Sequence, residues 1–138
     1  MIFCEHEIEE VPMLRFTLVA VSLVAAVPAA AKTETRCGWY HNPTPANVIL
    51  EDADGQWWIS MQGGPPVPGF EDAYTQAFDD RLRIDYAGQP TQRYGYSCAC
   101  AEGEFDVNGG QYDNVLSIKS LIEIPLARCE QDPDLPPP

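Results

Sequence analysis

The stretch "NVILEDADGQWWISMQ", residues 47–62, decides the fold. Asp54-Gly55 lies between two apolar runs and can fill the two central positions of a type I′ turn, where both residues need positive φ. That turn sets Asp52 opposite Trp57, Leu50 opposite Ile59 and Val48 opposite Met61, all on one mostly apolar face. The other face holds Asn47 with Gln62, Ile49 with Ser60, and Glu51 with Trp58. A one-residue slip would mix the two faces, so turn and pattern support each other. Consecutive strand residues point to opposite sides. Trp57 therefore belongs to the core, and Trp58 is a surface or pocket-lining aromatic beside Ile49 and Glu51. Phe70 or Tyr74 from the 63–78 segment would be its cover. These five residues (Trp58, Ile49, Glu51, Phe70, Tyr74) are the candidate binding set.

Outward from this hairpin the chain continues to read as strand. In "RLRIDY", 81–86, Leu82, Ile84 and Tyr86 alternate with Arg81, Arg83 and Asp85. Residues 93–101 place Tyr94, Tyr96, Cys98 and Cys100 on one face. "VLSIKSLIEI", 115–124, directs Leu116, Ile118, Ile122 and Ile124 one way and Ser117, Lys119 and Glu123 the other. Helix is scarce. Phe70, Tyr74, Ala77 and Phe78 have helical spacing, with Glu71 and Asp72 in the first turn, where acids are favoured. The prolines of "GGPPVPG", 63–69, exclude a central strand there. Such a series of short strands with turn signals predicts an all-β fold. The expected forms are a small closed barrel (OB-like or SH3-like) or a compact sheet sandwich, with one short helix. The domain spans 32–132, and "PDLPPP", 133–138, reads as a disordered or extended tail.

The segment 16–27, "FTLVAVSLVAAV", follows Arg15 and precedes "VPAAA". A basic start, a short apolar run and an A-x-A exit predict a secretory signal peptide over 1–31, cleaved after Ala31. The run is too short for a membrane span, which needs about 20 apolar residues. Glu5, Glu7, Glu9 and Glu10 suit a leader badly, so translation is expected to begin at Met13. Residues 32–138 carry 17 acidic and seven basic residues, a net charge of −10. Such a surface repels nucleic acid and anionic membrane, because phosphate binding needs clustered Lys and Arg. It suits a basic partner or a cation.

Cys37, Cys98, Cys100 and Cys129 remain after the leader, an even set in a chain expected to be periplasmic or secreted, and so two disulfides. In a strand, Cys98 and Cys100 face the same side, and their Cα atoms lie near the limit of about 6.8 Å for a direct bond. Separate partners are easier: one near the N-terminal end, one near the C-terminal end. Three connectivities are open, and 37–98 with 100–129 is preferred. A zinc site would show paired C-x₂-C knuckles, and a redox pair would show C-x-x-C; neither is present.

Catalytic chemistry finds little support, and no cofactor or catalytic residue is indicated. His41 is the one histidine after the leader and reads as a loop residue before Pro-Thr-Pro. No G-x-S-x-G or H-E-x-x-H occurs. A carboxylate- or metal-dependent hydrolase is the alternative that the many acids leave open. For calcium, Asp52 with Asp54 and Asp106 with Asn108 place oxygens two residues apart beside glycine, but both are also good β-turns without a metal. The favoured class is a non-enzymatic binding module for a protein or envelope glycan. One concrete form is an inhibitor of a basic envelope-directed enzyme such as a lysozyme, steered by charge.

Three motifs, "RCGWYHNPTPAN" (36–47), "YGYSCAC" (94–100) and "PLARC" (125–129), resemble a bacterial family of short exported proteins, domain-of-unknown-function family 4087. The resemblance covers about residues 36–132. It implies export and the four cysteines, and it implies no activity.

Overall fold

The computed structural model describes residues 32–77 and 83–138. The leader read over 1–31, and Phe78, Arg81 and Leu82 of the helix and strand readings, lie outside those residues. The described elements run β1 (Thr33–Asn42), β2 (Val48–Asp52), β3 (Gly55–Ser60), α1 (Phe70–Ala77), β4 (Arg83–Ile84), β5 (Pro90–Thr91), β6 (Gly95–Phe105), β7 (Val115–Ile124) and α2 (Ala127–Glu130). The strands form one antiparallel sheet, in the order β3-β2-β1-β6. The far edge of β6 is shared. Tyr96 pairs with Ile84 of β4, which in turn takes β5, and from Cys98 onward β6 pairs with β7.

The all-β reading holds, but the described residues contain two short helices where the sequence predicts one, and the sheet is open and not a closed barrel. β3 and β7 approach each other without a ladder. The gap is bridged by the Pro-rich loop: Val67 N–H donates to Ile59 O (3.0 Å), and Ile118 N–H donates to Pro68 O (2.9 Å). Pro68 has no N–H, so the segment can link the two edges but cannot serve as a paired strand between them. Asn114 adds a second link. Its amide donates to Gln56 O (2.7 Å) and its Oδ1 accepts from Trp58 N–H (3.1 Å). The chain then turns into α1 at Gly69, where φ is +83° and a Cβ would stand 2.1 Å from Ile118 O, so only glycine fits.

The hairpin turns one residue earlier than the sequence suggests. Ala53 and Asp54 form its loop, Asp52 pairs with Gly55, Leu50 with Trp57 and Ile49 with Trp58. The cause is Asp52, whose Oδ1 accepts the N–H groups of Asp54 (2.9 Å) and Gly55 (3.2 Å). Gly55 has a positive φ of 137°, and Asp54 does not. Moving the turn by one residue changes each partner by two, which keeps the side chains from Ile49 to Trp58 on their predicted faces. Beyond them a bulge at Ile59 pairs Val48 with Ser60 and brings Ser60, expected beside Ile49, to the inner side.

Tyr40, Leu50, Trp57, Ile59, Ala99, Ala101 and Leu121 form the inner face, and Phe70 and Ala73 of α1 close over it. At one end of this core Arg36 is buried. Its Nη1 bonds Asp52 and Asp54 (both 2.9 Å), its Nε bonds Glu34 (2.7 Å), and its guanidinium lies 3.9 Å over the Trp57 ring. Burial pulls the guanidinium pKa down, but the bonds to Asp54, Asp52 and Glu34 outweigh it and the net shift is upward.

β7 departs from simple alternation. Glu102 pairs with Ser120 but Gly103 with Ile118, and Glu104 pairs with Ser117 but Phe105 with Val115. The extra residues, Lys119 and Leu116, are bulges, and each turns the following side chains over. Val115, Ile118 and Leu121 therefore face the core, while Leu116 and Ile122, expected beside Ile118, are exposed.

The disulfides are Cys37–Cys100 and Cys98–Cys129, not the preferred 37–98 and 100–129. The register decides this. Cys37 lies directly opposite Cys100, and the position opposite Cys98 is taken by Trp39. Cys98 instead reaches Cys129 in α2.

Candidate functional site

Alternation gives the sheet a second, outer face. One row of cross-strand neighbours runs across it: Trp58 of β3, Ile49 of β2, His41 of β1, Tyr96 of β6 and Ile84 of β4. The next row runs Gln56, Glu51, Trp39, Cys98 and Ile124. Three of the predicted binding residues, Trp58, Ile49 and Glu51, thus share this face. Phe70 and Tyr74 do not. They belong to the inner side, where they line a separate cavity of about 340 Å³ with Asn42, Val48 and Ser60. The ring packed on Trp58 is Tyr112, edge-on at 4.9 Å.

His41 is no loop residue. It sits in β1, buried, with Nε2 3.2 Å from Glu51 Oε2 and Nδ1 3.0 Å from Tyr86 Oη. A neutral imidazole satisfies both contacts when Nε2–H donates to Glu51 and Nδ1 accepts from the Tyr86 hydroxyl. The electrostatics agree. Burial lowers the His41 pKa, more than the Glu51 carboxylate beside it raises it. Burial, with Glu51 and Tyr96 nearby, raises the Tyr86 pKa, which keeps the phenol protonated as the donor. The chain Glu51–His41–Tyr86 therefore orients the Tyr86 ring, which stacks parallel to the imidazole at 6.1 Å and leans on Tyr96 at 5.8 Å.

The outer face is unevenly covered. α2 and the segment after it pack on the Trp39 side, with Cys129, Leu126 and Leu135 against Trp39. Residues 133–138, read as a disordered or extended tail, lie here, and Trp39 Nε1–H donates to Pro136 O at 2.7 Å. The other half ends in two tyrosines that remain about half exposed, Tyr86 (53 %) and Tyr112 (52 %). One acid, Glu51, borders it. Glu102 and Glu104 lie on the same side of the sheet but farther along β6, beyond the covered Trp39 row, where Lys119 Nζ donates to Thr33, the residue opposite Glu104.

The other candidate residues have structural partners. Asp52 and Asp54 converge on Arg36. Asp106 Oδ1 accepts the Asn108 N–H (2.9 Å), which forms a local turn. Among the described residues, no group of three or more His, Cys, Asp or Glu side chains is arranged to hold a metal ion. Sequence reasoning missed His41, Tyr86, Tyr96 and Tyr112 as members of the face. The signal for two of them was the spacing of Trp39 and His41, which shares a strand face just as Tyr96 and Cys98 do.

A family model described as protein of unknown function (DUF4087) matches residues 31–136. No curated protein and no solved structure matches the chain.

Proposed function

We propose, for a chain that belongs to the DUF4087 family, an exported binding module that acts without catalysis and recognises a basic protein through the uncovered half of its outer face. The observation that supports this most is the pair of half-exposed tyrosines, Tyr86 and Tyr112, held respectively by His41 in the middle and Trp58 at one end of the same row. Tyrosines that are fixed before binding lose little side-chain entropy on contact and supply large area, which is why aromatics anchor interfaces. Glu51 beside this face and the net charge of −10 over residues 32–138 would steer a basic partner. The disulfides suit an oxidising compartment outside the cytoplasm. Asp52 and Asp54, with Glu34, meet on Arg36, whose single positive charge offsets part of theirs and gives them a structural task.

The reading is tested by immobilising the oxidised protein and measuring capture of basic envelope-directed proteins, a lysozyme among them, at low and high salt. Capture should fall with salt and should drop in Tyr86→Ala and Tyr112→Ala. Binding that ignores both salt and these substitutions, or capture of envelope glycan in place of any basic protein, would sink it.

A further inference from the structure

The last eight residues, "QDPDLPPP" (131–138), include four prolines. The first part of this segment turns, with Leu135 N–H donating to Asp132 O, while residues 136–138, all proline, have no backbone donor and favour an extended left-handed helix. It cannot add to a sheet edge as a strand. Protein surfaces that bind this conformation offer an aromatic cradle and a side-chain N–H aimed at a proline carbonyl. The outer face provides both. Trp39 and Tyr96 stand edge-to-face at 5.5 Å, and the Trp39 indole N–H donates to Pro136 O at 2.7 Å. Leu135 packs into the same cluster beside Cys98 and Cys129.

We propose that the groove between Trp39, Tyr96 and Cys129 is a docking site for proline-rich peptides that carry a Leu-Pro-Pro-Pro-type run, and that segment 133–138 is its resident and exchangeable occupant. Two features make the resident replaceable. Its other bonds, Asp134 N–H to Asp132 Oδ1 (3.0 Å) and Leu135 N–H to Asp132 O (3.4 Å), are local to the segment and do not tie it to the sheet. It also leaves a cavity of about 370 Å³ between itself, Trp39, Tyr96 and Glu130. Glu130 and Asp132 border that cavity, while the resident brings a further acid, Asp134. A proline-rich ligand with a basic flank complements the groove better than the resident does. Tyr96 belongs both to the groove and to the row that carries Tyr86, 5.8 Å from its ring, so the Trp39 indole resonance, and not capture of a basic protein, reports on the groove.

The test weakens the resident while keeping the full chain. Oxidised Leu135→Gly/Pro136→Gly protein is titrated with an acetylated peptide of the tail sequence 131–138, and the Trp39 indole N–H resonance is followed by NMR. Saturable binding should return that resonance toward its position in the unsubstituted protein, in which the resident blocks the peptide. The same peptide with both aspartates replaced by lysine should bind about threefold tighter or more, as expected for exposed charge pairs. Adding Trp39→Phe should abolish the response of the remaining groove resonances. No saturable shift, or an equal shift from a peptide with every proline replaced by glycine, overturns the proposal. So does failure of the tail variant to fold, because 133–138 would then be part of the core.

Discussion

The guanidinium of Arg36 lies flat over the indole of Trp57, 3.9 Å from its centre, while three carboxylates hold its edge. The cation is thus both a core side chain and the counter-charge for Asp52, which is itself nearly buried. Arg36→Ala removes the stacking and leaves Asp52 without a cation. It should cost about 3–5 kcal/mol, as loss of one partner of a buried pair does. Urea unfolding measures it; a loss under about 1 kcal/mol would show that water reaches Asp52 freely.

Trp57 and Trp58 should separate in mutation. Trp57→Ala empties the core position between Leu50, Phe105 and Arg36 and should cost about 3–5 kcal/mol. Trp58→Ala should cost less and should free the Tyr112 ring, lowering capture of a basic partner in a protein that still folds. Equal destabilisation by both would make Trp58 a core residue.

The pH dependence follows from His41, whose folded pKa is lowered by burial. The unfolded chain then takes up its proton first as pH falls below about 6.5. The His41 contribution is complete above that pH. It declines as pH falls toward the folded pKa and is constant below it. His41→Gln should flatten the dependence of unfolding free energy on pH between about 7.5 and 5, above the ordinary carboxylate range. An unchanged slope would mean that the imidazole takes up its proton in the folded protein as easily as in water.

The two disulfides should differ in effect more than in size. Chain-entropy reasoning gives about 4 kcal/mol for each loop, with the 63-residue separation of Cys37–Cys100 worth only about 0.6 kcal/mol more than the 31-residue separation of Cys98–Cys129. Removing Cys98–Cys129 as a pair should also loosen α2 and shift Trp39 fluorescence. Removing Cys37–Cys100 should leave that fluorescence in place. Non-reducing peptide mapping checks the pairing itself, and a 37–98 peptide would contradict it.

Asn114→Ala should expose the Trp58 amide. It removes one acceptor and one donor facing β3. A cost of about 1–2 kcal/mol is expected, with faster hydrogen exchange at Trp58. Unchanged exchange would show that the Val67 and Pro68 contacts alone hold that edge.

Much of the fold was legible where one face of a strand is wet. The β2–β3 hairpin sorted Trp57 from Trp58 correctly, because face parity survives a two-residue change of partner. β1 was not legible as a strand, because Trp39, Tyr40 and His41 are all buried: both faces are covered there and alternation disappears. β7 misled for a different reason, since its two bulges break the period between Leu116 and Ile122. The candidate face was half visible. Trp58, Ile49 and Glu51 came from parity within one hairpin. Tyr86, Tyr96 and Tyr112 arrive from strands and turns far along the chain, and no local pattern announces a pairing of β1 with β6.

The Val67–Pro68 link and the Asn114 amide also bear on how this protein behaves in a crowd of its own copies. An open sheet normally presents a row of bare N–H and C=O groups, a template for strands of other molecules and for fibrous aggregation. Here Ile59 O, Gln56 O and Trp58 N–H on one margin and Ile118 N–H on the other are already engaged within the chain. The prolines beside them cannot extend a ladder. The molecule thus gains much of the protection against self-polymerisation that a closed barrel would give, and it does so without closing.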